Sequence, residues 1–392
     1  MELLWDLVFV FAITQVTTLL AAGPSWGRFG HAMLVLALVW WAWSAFVWAS
    51  NALEAESRRL RGFLLLATIL IFIAGLALPH AFGNEAGLFV VAHVLVRLIH
   101  MKLYIDAARA GRAGMRAIVG FAATTGLGVV LLLAGALAGG GVRDGLWIVA
   151  LAIDYAGPAW LTRERLRGLQ QVAVTHFADR YGDFVIICLG ESILSVGVGV
   201  SATEHQLSLA LVATASLGLM IALGTWWTYF DSGAGAARDR LRTHGDPVLA
   251  AADSYSYLHL LIIAGVIIYA GGIRMVVHNH LAPPMPAPGR LAFCGGVALY
   301  LLGVSAFRLR MLGQFSRGRV AVAVALLVLF AAGGGIPAWT TTAAAMVLIV
   351  GLCGLESLAD HRRRAAHPGP DEVDLPGLEA VARVADPSHG LE

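Results

Sequence analysis

The chain has 392 residues, of which 58% are apolar and only 13% charged, with a mean hydropathy of +0.76. A soluble domain carries nearly twice that charge, and a net charge of +2 with no basic block excludes nucleic acid as a partner. Apolar stretches of about twenty residues alternate with short Arg-bearing breaks, and about 20 helical residues cross a ~30 Å hydrocarbon core.

The pattern predicts an all-α polytopic transmembrane bundle in contact with membrane lipids. The expected spans are 3–22, 29–50, 60–78, 87–105, 115–138, 142–161, 183–200, 207–230, 255–278, 291–309, 320–334 and 338–358. Lipid-exposed backbone must satisfy its own hydrogen bonds, which leaves helices or closed barrels. The long unbroken runs do not fit the ten-residue alternation of barrel strands. The first span lacks a basic leader and an obvious cleavage site, so it reads as retained. Its abrupt start at Met1-Glu2 is consistent with a longer natural N-terminus.

Basic residues orient the spans. Twenty-one of the 27 fall after even-numbered spans, including Arg58, Arg59, Arg109, Arg112, Arg163, Arg238, Arg240, Arg310 and Arg362. Only Arg28, Arg143 and Arg290 fall after odd-numbered ones. By the positive-inside rule both termini are expected in the cytoplasm. The expected organisation is a six-span half over 1–168, a second over 169–360, and a disordered cytoplasmic tail over 361–392. A parallel 6+6 repeat is one reading of this division. Asp6 leads Thr14-Gln15 in span 1 as Asp183 leads Glu191-Ser192 in span 7, and Trp40-Trp41 matches Trp226-Trp227. The other reading is the likeness that any two apolar segments share by composition.

Ionisable groups inside hydrocarbon are costly and are functional candidates by default. Glu191, eight residues inside span 7, is the clearest, with Ser195 one turn on along the same face. It suits a proton carrier or a ligand for a cation; the alternative is a locked interhelical bond. His93, Arg97, His100 and Tyr104 form one stripe on span 4, expected to face the bundle interior. Arg97 is the natural counter-charge for Glu191 or Asp6, and the histidines could relay protons. Snorkelling at the membrane edge is the competing account. Asp6 and Asp183 stand at inferred helix starts, where capping is the plain explanation. Gln15, Asn51 and Asp154 are further interior polar residues. The segment His176-Phe-Ala-Asp179-Arg180-Tyr181-Gly182-Asp183 reads either as a structured loop or gate, or as an ordinary span boundary.

No cofactor or metal is implied. There is no Walker A sequence, nucleophile elbow, dinucleotide fingerprint or HExxH pair, and the cysteines Cys188, Cys294 and Cys353 lack metal spacing.

These motifs together resemble the bacterial low temperature requirement protein A family. The resemblance rests on Glu2-Leu-Leu-Trp-Asp6 through Gln15, Trp40-Trp41-Ala-Trp43 through Asn51, His176 through Gly182, Gly190-Glu191-Ser192-Ile193, and Trp226-Trp227. Trp5 stands where Phe is more usual and Asp179 where Glu is more usual. The resemblance implies a polytopic protein of the bacterial cytoplasmic membrane. It places Asp6, Gln15, Asn51, His176, Arg180 and Glu191 on the family's characteristic positions. The leading expectation is a secondary transporter or permease for an unidentified small solute or ion, linked to a proton or ion at Glu191. A membrane-embedded enzyme acting on a lipid or isoprenoid, and a cation channel, are the alternatives; no catalytic motif backs the former.

Overall fold

The computed structural model describes residues 2–51, 58–111, 115–157, 174–203, 207–279 and 284–366. The expected boundary between halves at 168–169, the loop residues Arg112, Arg163, Arg165 and Arg167, and the tail beyond 366 lie outside the described residues. Two compact units divide the chain, Met1–Val350 and Gly351–Glu392. The second is helical through Ala366. The first holds all the sites described below.

The helices in chain order are α1 (Glu2–Ala21), α2 (Trp26–Asn51), α3 (Arg58–Ala77), α4 (Ala86–Arg109), α5 (Met115–Ala138), α6 (Gly140–Ala156), α7 (Val174–Ser201) and α8 (Leu209–Tyr229). They continue as α9 (Gly235–Arg242), α10 (Pro247–Ala251), α11 (His259–His278), α12 (Ala287–Arg290), α13 (Gly296–Leu312), α14 (Arg317–Ala332) and α15 (Ala338–Ala366). No strand occurs among the described residues. Eleven helical stretches among them are long and apolar enough to cross a membrane. A further apolar helix, α6, occupies the expected sixth span and is described over 17 residues.

The surface is inverted relative to a soluble protein. Leu127, Val130, Leu137, Val324 and Val328 point outward, as lipid contact permits and water would not. Burial identifies the centre: within Pro247–His278, 83% of an apolar 18-residue window is buried, and within Arg317–Gly335 only 22%. The central helix α11 packs on α7, α13 and α1.

Helices in lipid gain little from apolar burial against one another, so close backbone approach becomes the means of association. The α11–α13 seam shows this directly. A Cβ at Gly265 would lie 2.4 Å from the Tyr300 amide nitrogen, and one at Gly272 2.4 Å from that of Phe293. Gly296 presses on α11 in the same way, at 2.4 Å from the Tyr269 nitrogen.

Three stretches widen into π-helical turns: Phe230–Ala234, Ala252–Leu258 and Leu291–Gly295. The second introduces α11 and carries Ser254 and Ser256 of the polar network below.

Two sequence expectations change here. α7 begins at Val174, not at residue 183, so His176–Asp183 is helix and not a loop or gate. The reason is an apolar stripe: Phe177, Tyr181 and Phe184 are all fully buried at helical spacing. Asp183 consequently sits on the exposed side of the helix body and caps nothing. The two tryptophan pairs invoked for a repeat also differ. Trp40 and Trp41 are buried, whereas Trp226 and Trp227 are 42% and 41% exposed.

The seam predicts an asymmetry among glycines. Gly265→Ala or Gly272→Ala should cost about 1–3 kcal/mol through forced separation of α11 and α13. Gly126→Ala, whose Cβ meets nothing within 4 Å, should leave thermal unfolding in detergent unchanged. Equal melting of all three variants would contradict the backbone contact.

Candidate functional site

Three buried polar clusters share the bundle. The first joins α1, α2 and α7. The Asp6 carboxylate is fully buried. Its Oδ1 accepts from Trp43 Nε1 at 2.7 Å and from Arg180 Nη2 at 2.9 Å. Arg180 Nη1 donates to Ser50 Oγ at 2.8 Å. Asp6 is therefore an ion-pair partner rather than a helix cap. A charge this deep persists only when paired and hydrogen-bonded, and both conditions hold.

The second cluster lies between α1 and α7. Glu191 is 2% exposed. Its Oε2 accepts from Thr14 at 2.6 Å, and its Oε1 from Thr17 at 2.8 Å and Ser195 at 3.0 Å. No basic side chain among the described residues pairs with it. Going from Asp6 to Thr14 climbs about 12 Å along α1, and from Arg180 to Glu191 about 16 Å along α7. Asp6 meets Arg180 and Thr14 meets Glu191, so the two helices run parallel. That is the direction required if the chain crosses the bilayer six times before α7.

Each threonine hydroxyl has a second acceptor within reach. Thr14 Oγ1 lies 3.1 Å from the Val10 carbonyl, and Thr17 Oγ1 lies 2.7 Å from the Thr14 carbonyl. A hydroxyl has one proton to donate. It can serve the carboxylate or turn to its own helix backbone.

The third cluster lies between α2, α4, α5 and α6. Arg97 Nη2 donates to both oxygens of Asp154 at 3.1 Å and to Thr125 Oγ1 at 3.1 Å. The span-4 stripe faces inward as its spacing predicts, with His93, Arg97, His100 and Tyr104 all buried. The expected pairing of Arg97 with Glu191 or Asp6 is not made. Those carboxyls belong to the α1–α7 contact, and Asp154 on α6 takes the guanidinium. Burial also removes the snorkelling account.

A hydroxyl node bridges the clusters at the π-helical turn. Ser256 Oγ accepts from Trp48 Nε1 at 2.8 Å and from Ser44 Oγ at 3.0 Å, and it lies 3.2 Å from Tyr181 Oη. The Ser256 carbonyl accepts from Trp40 Nε1 at 2.8 Å. Nearby, His259 Nδ1 lies 2.9 Å from the Ser254 carbonyl, and Nε2 lies 2.8 Å from Tyr229 Oη. The carbonyl can only accept, so Nδ1 carries the proton and a neutral ring accepts from Tyr229 at Nε2.

The remaining candidates scatter. Gln15 is half-buried on α1, Asn51 is half-buried at the end of α2, and His176 is exposed on the first turns of α7. None of them joins Glu191. Thr14, Thr17, Ser44 and Ser256 form these contacts, although sequence reasoning did not single out Thr17, Ser44 or Ser256. A faint signal existed: Thr14 and Thr17 share a face at i, i+3, and Ser254-Tyr-Ser256-Tyr interrupts an apolar run.

Breaking the Asp6–Arg180 pair on one side should be costly. Arg180→Met should destabilise the protein by about 3–5 kcal/mol, because the carboxylate loses this cation while still buried. The double variant with Asp6→Asn should recover much of that loss. Strictly additive losses in thermal unfolding would show that the two groups are not coupled.

A family model described as bacterial low temperature requirement A protein matches residues 1–353. A protein of Rhizobium meliloti (strain 1021), itself described as uncharacterized, is 31% identical over 285 residues. The match covers 69% of this chain and 67% of that protein.

Proposed function

The chain belongs to the bacterial low temperature requirement A family, and within its membrane-embedded helical bundle we propose a secondary transporter or permease whose proton-binding group is Glu191. The observation that carries the reading is the Glu191 shell: a buried carboxyl, three hydroxyl donors and no cation among the described residues. An ionised carboxylate accepts all three bonds. When a proton arrives, the carboxyl has a donor of its own, and Thr14 and Thr17 can turn to Val10 and Thr14 carbonyls. Both protonation states thus keep their hydrogen bonds, as a carrier that must load and unload requires.

Access on one side is short. A cavity of about 220 Å³ is lined by Ala21, Gly199, Arg274, His278 and Asn279, among others. Ala21 follows Thr17 by one helical turn, and Gly199 follows Ser195 by one. The cavity floor therefore lies about 6 Å along the helices from the carboxyl shell. Arg274 stands there, 3.4 Å from Thr18 Oγ1. At the other end the Asp6–Arg180 pair closes the α1–α7 contact. With both termini in the cytoplasm, as the arginine asymmetry argues, this cavity opens outward from a bacterial inner membrane.

The test is proton flux into proteoliposomes carrying a pH-sensitive dye, with a mixture of small metabolites inside. Wild-type protein should give flux driven by an imposed pH gradient. Glu191→Gln should slow it by about tenfold or more, since the amide cannot bind and release a proton. Ser195→Ala should slow it less. Wild-type flux in Glu191→Gln would remove Glu191 from the mechanism.

A further inference from the structure

The geometry points to a second site, separate from Glu191: a cavity between α2, α4, α5 and α6 that binds a neutral, planar, carbonyl-bearing six-membered ring. About 50 Å³ of the cavity admits the centre of a water molecule. One water needs roughly 10–15 Å³ by that measure. The room is that of a few waters, or of one small ring.

Among the polar residues that line it, Arg97 and His100 carry nitrogens without a hydrogen-bond partner among the described residues. Arg97 is 2% exposed and lines the cavity, and its Nε and Nη1 have no hydrogen-bond partner among the described residues. His100 is 4% exposed and also lines it, and neither ring nitrogen has one. Buried donors in native proteins are nearly always satisfied, so this concentration in one cavity calls for an acceptor. The walls supply the rest of the recognition. Trp41, Tyr104, Phe121 and Tyr257 present flat apolar surfaces, which favour a planar occupant.

Charge selects among acceptors. The guanidinium of Arg97 is already balanced by Asp154, 3.1 Å away. The site is neutral before anything binds. A carboxylate or phosphate would leave a net negative charge buried in the bundle, at a heavy desolvation cost. A ketone or quinone-type oxygen accepts from Arg97 and His100 and leaves the balance untouched. A neutral ring can also partition into the bilayer, which a charged one cannot do readily.

Isothermal titration of the full chain in nanodiscs tests this with three probes of similar size. Dimethyl-γ-pyrone is the neutral carbonyl ring, para-xylene lacks the acceptor, and benzoate carries the charge. Empty nanodiscs give the partitioning background. Dimethyl-γ-pyrone should saturate one site, and the other two should bind at least about tenfold more weakly, the scale of one or two lost hydrogen bonds. His100→Phe, which keeps a flat ring and removes both nitrogens, should weaken the pyrone by about tenfold. Phe121→Trp should fill the cavity and abolish binding. Equal binding of para-xylene would overturn recognition through hydrogen bonds, and tighter binding of benzoate would overturn neutrality. Saturation by none of the three probes would overturn the site. None of these outcomes depends on Glu191, since the wild-type probe series requires no transport.

Discussion

Asp6 and Arg180 sit 2.9 Å apart inside the bundle, and much of the arrangement around them follows from the cost of holding charge there. Neither can leave the pair without a heavy penalty. The pair therefore fixes the axial register of α1 and α7, and the Thr14–Glu191 contact beyond it fixes their relative direction. Once that register is set, the next polar positions along the two helices meet: Thr14 and Thr17 on one side, Glu191 and Ser195 on the other. Trp43 and Ser50 draw α2 into the same contact. A single ion pair thus places a second carboxyl in a purely hydroxylic environment.

The contrast between Asp6 and Glu191 separates structure from chemistry. Both are buried carboxyls on the same helix pair. Asp6 has a fixed counter-charge and an indole donor, which hold it in one state. Glu191 has only hydroxyls, which can rotate. Asp154 resembles Asp6: it is held by the guanidinium of Arg97, which also donates to Thr125. Among these three carboxyls, Glu191 alone has a shell able to accommodate a change of protonation without rearranging the backbone.

Much of this was legible in the sequence, and the division has a physical cause. Hydropathy reports local solvent preference, so the apolar helices and their breaks could be read directly. Helical spacing reports which residues share a face, so the inward stripe of His93, Arg97, His100 and Tyr104 could be read as well. Partnerships between helices could not. Arg97 had several carboxyls within plausible reach, and the choice of Asp154 depends on the packing of α4 against α5 and α6. The early start of α7 is hidden because His176–Asp183 is polar in composition, while Phe177 and Tyr181 within it are fully buried and continue into Phe184. The Ser256 node was invisible for a related reason. It needs the widened turn at Ala252–Leu258, which places Ser256 among donors from α2 and α7.

The glycine seam between α11 and α13 bears on how such a bundle can move. Where side chains intervene between helices, a rotamer change can absorb a shift of an ångström or so. At Gly265, Gly272 and Gly296 there is nothing between the two backbones to rearrange. These helices can only travel together, as one slab. Any alternation of access at Glu191 must then be borne by contacts that contain deformable side chains. In the transporter proposed above, the hydroxyl-lined stretch around Glu191, beyond the fixed Asp6–Arg180 pair, is the part of the α1–α7 contact that could yield, against a frame that runs through the centre of the bundle.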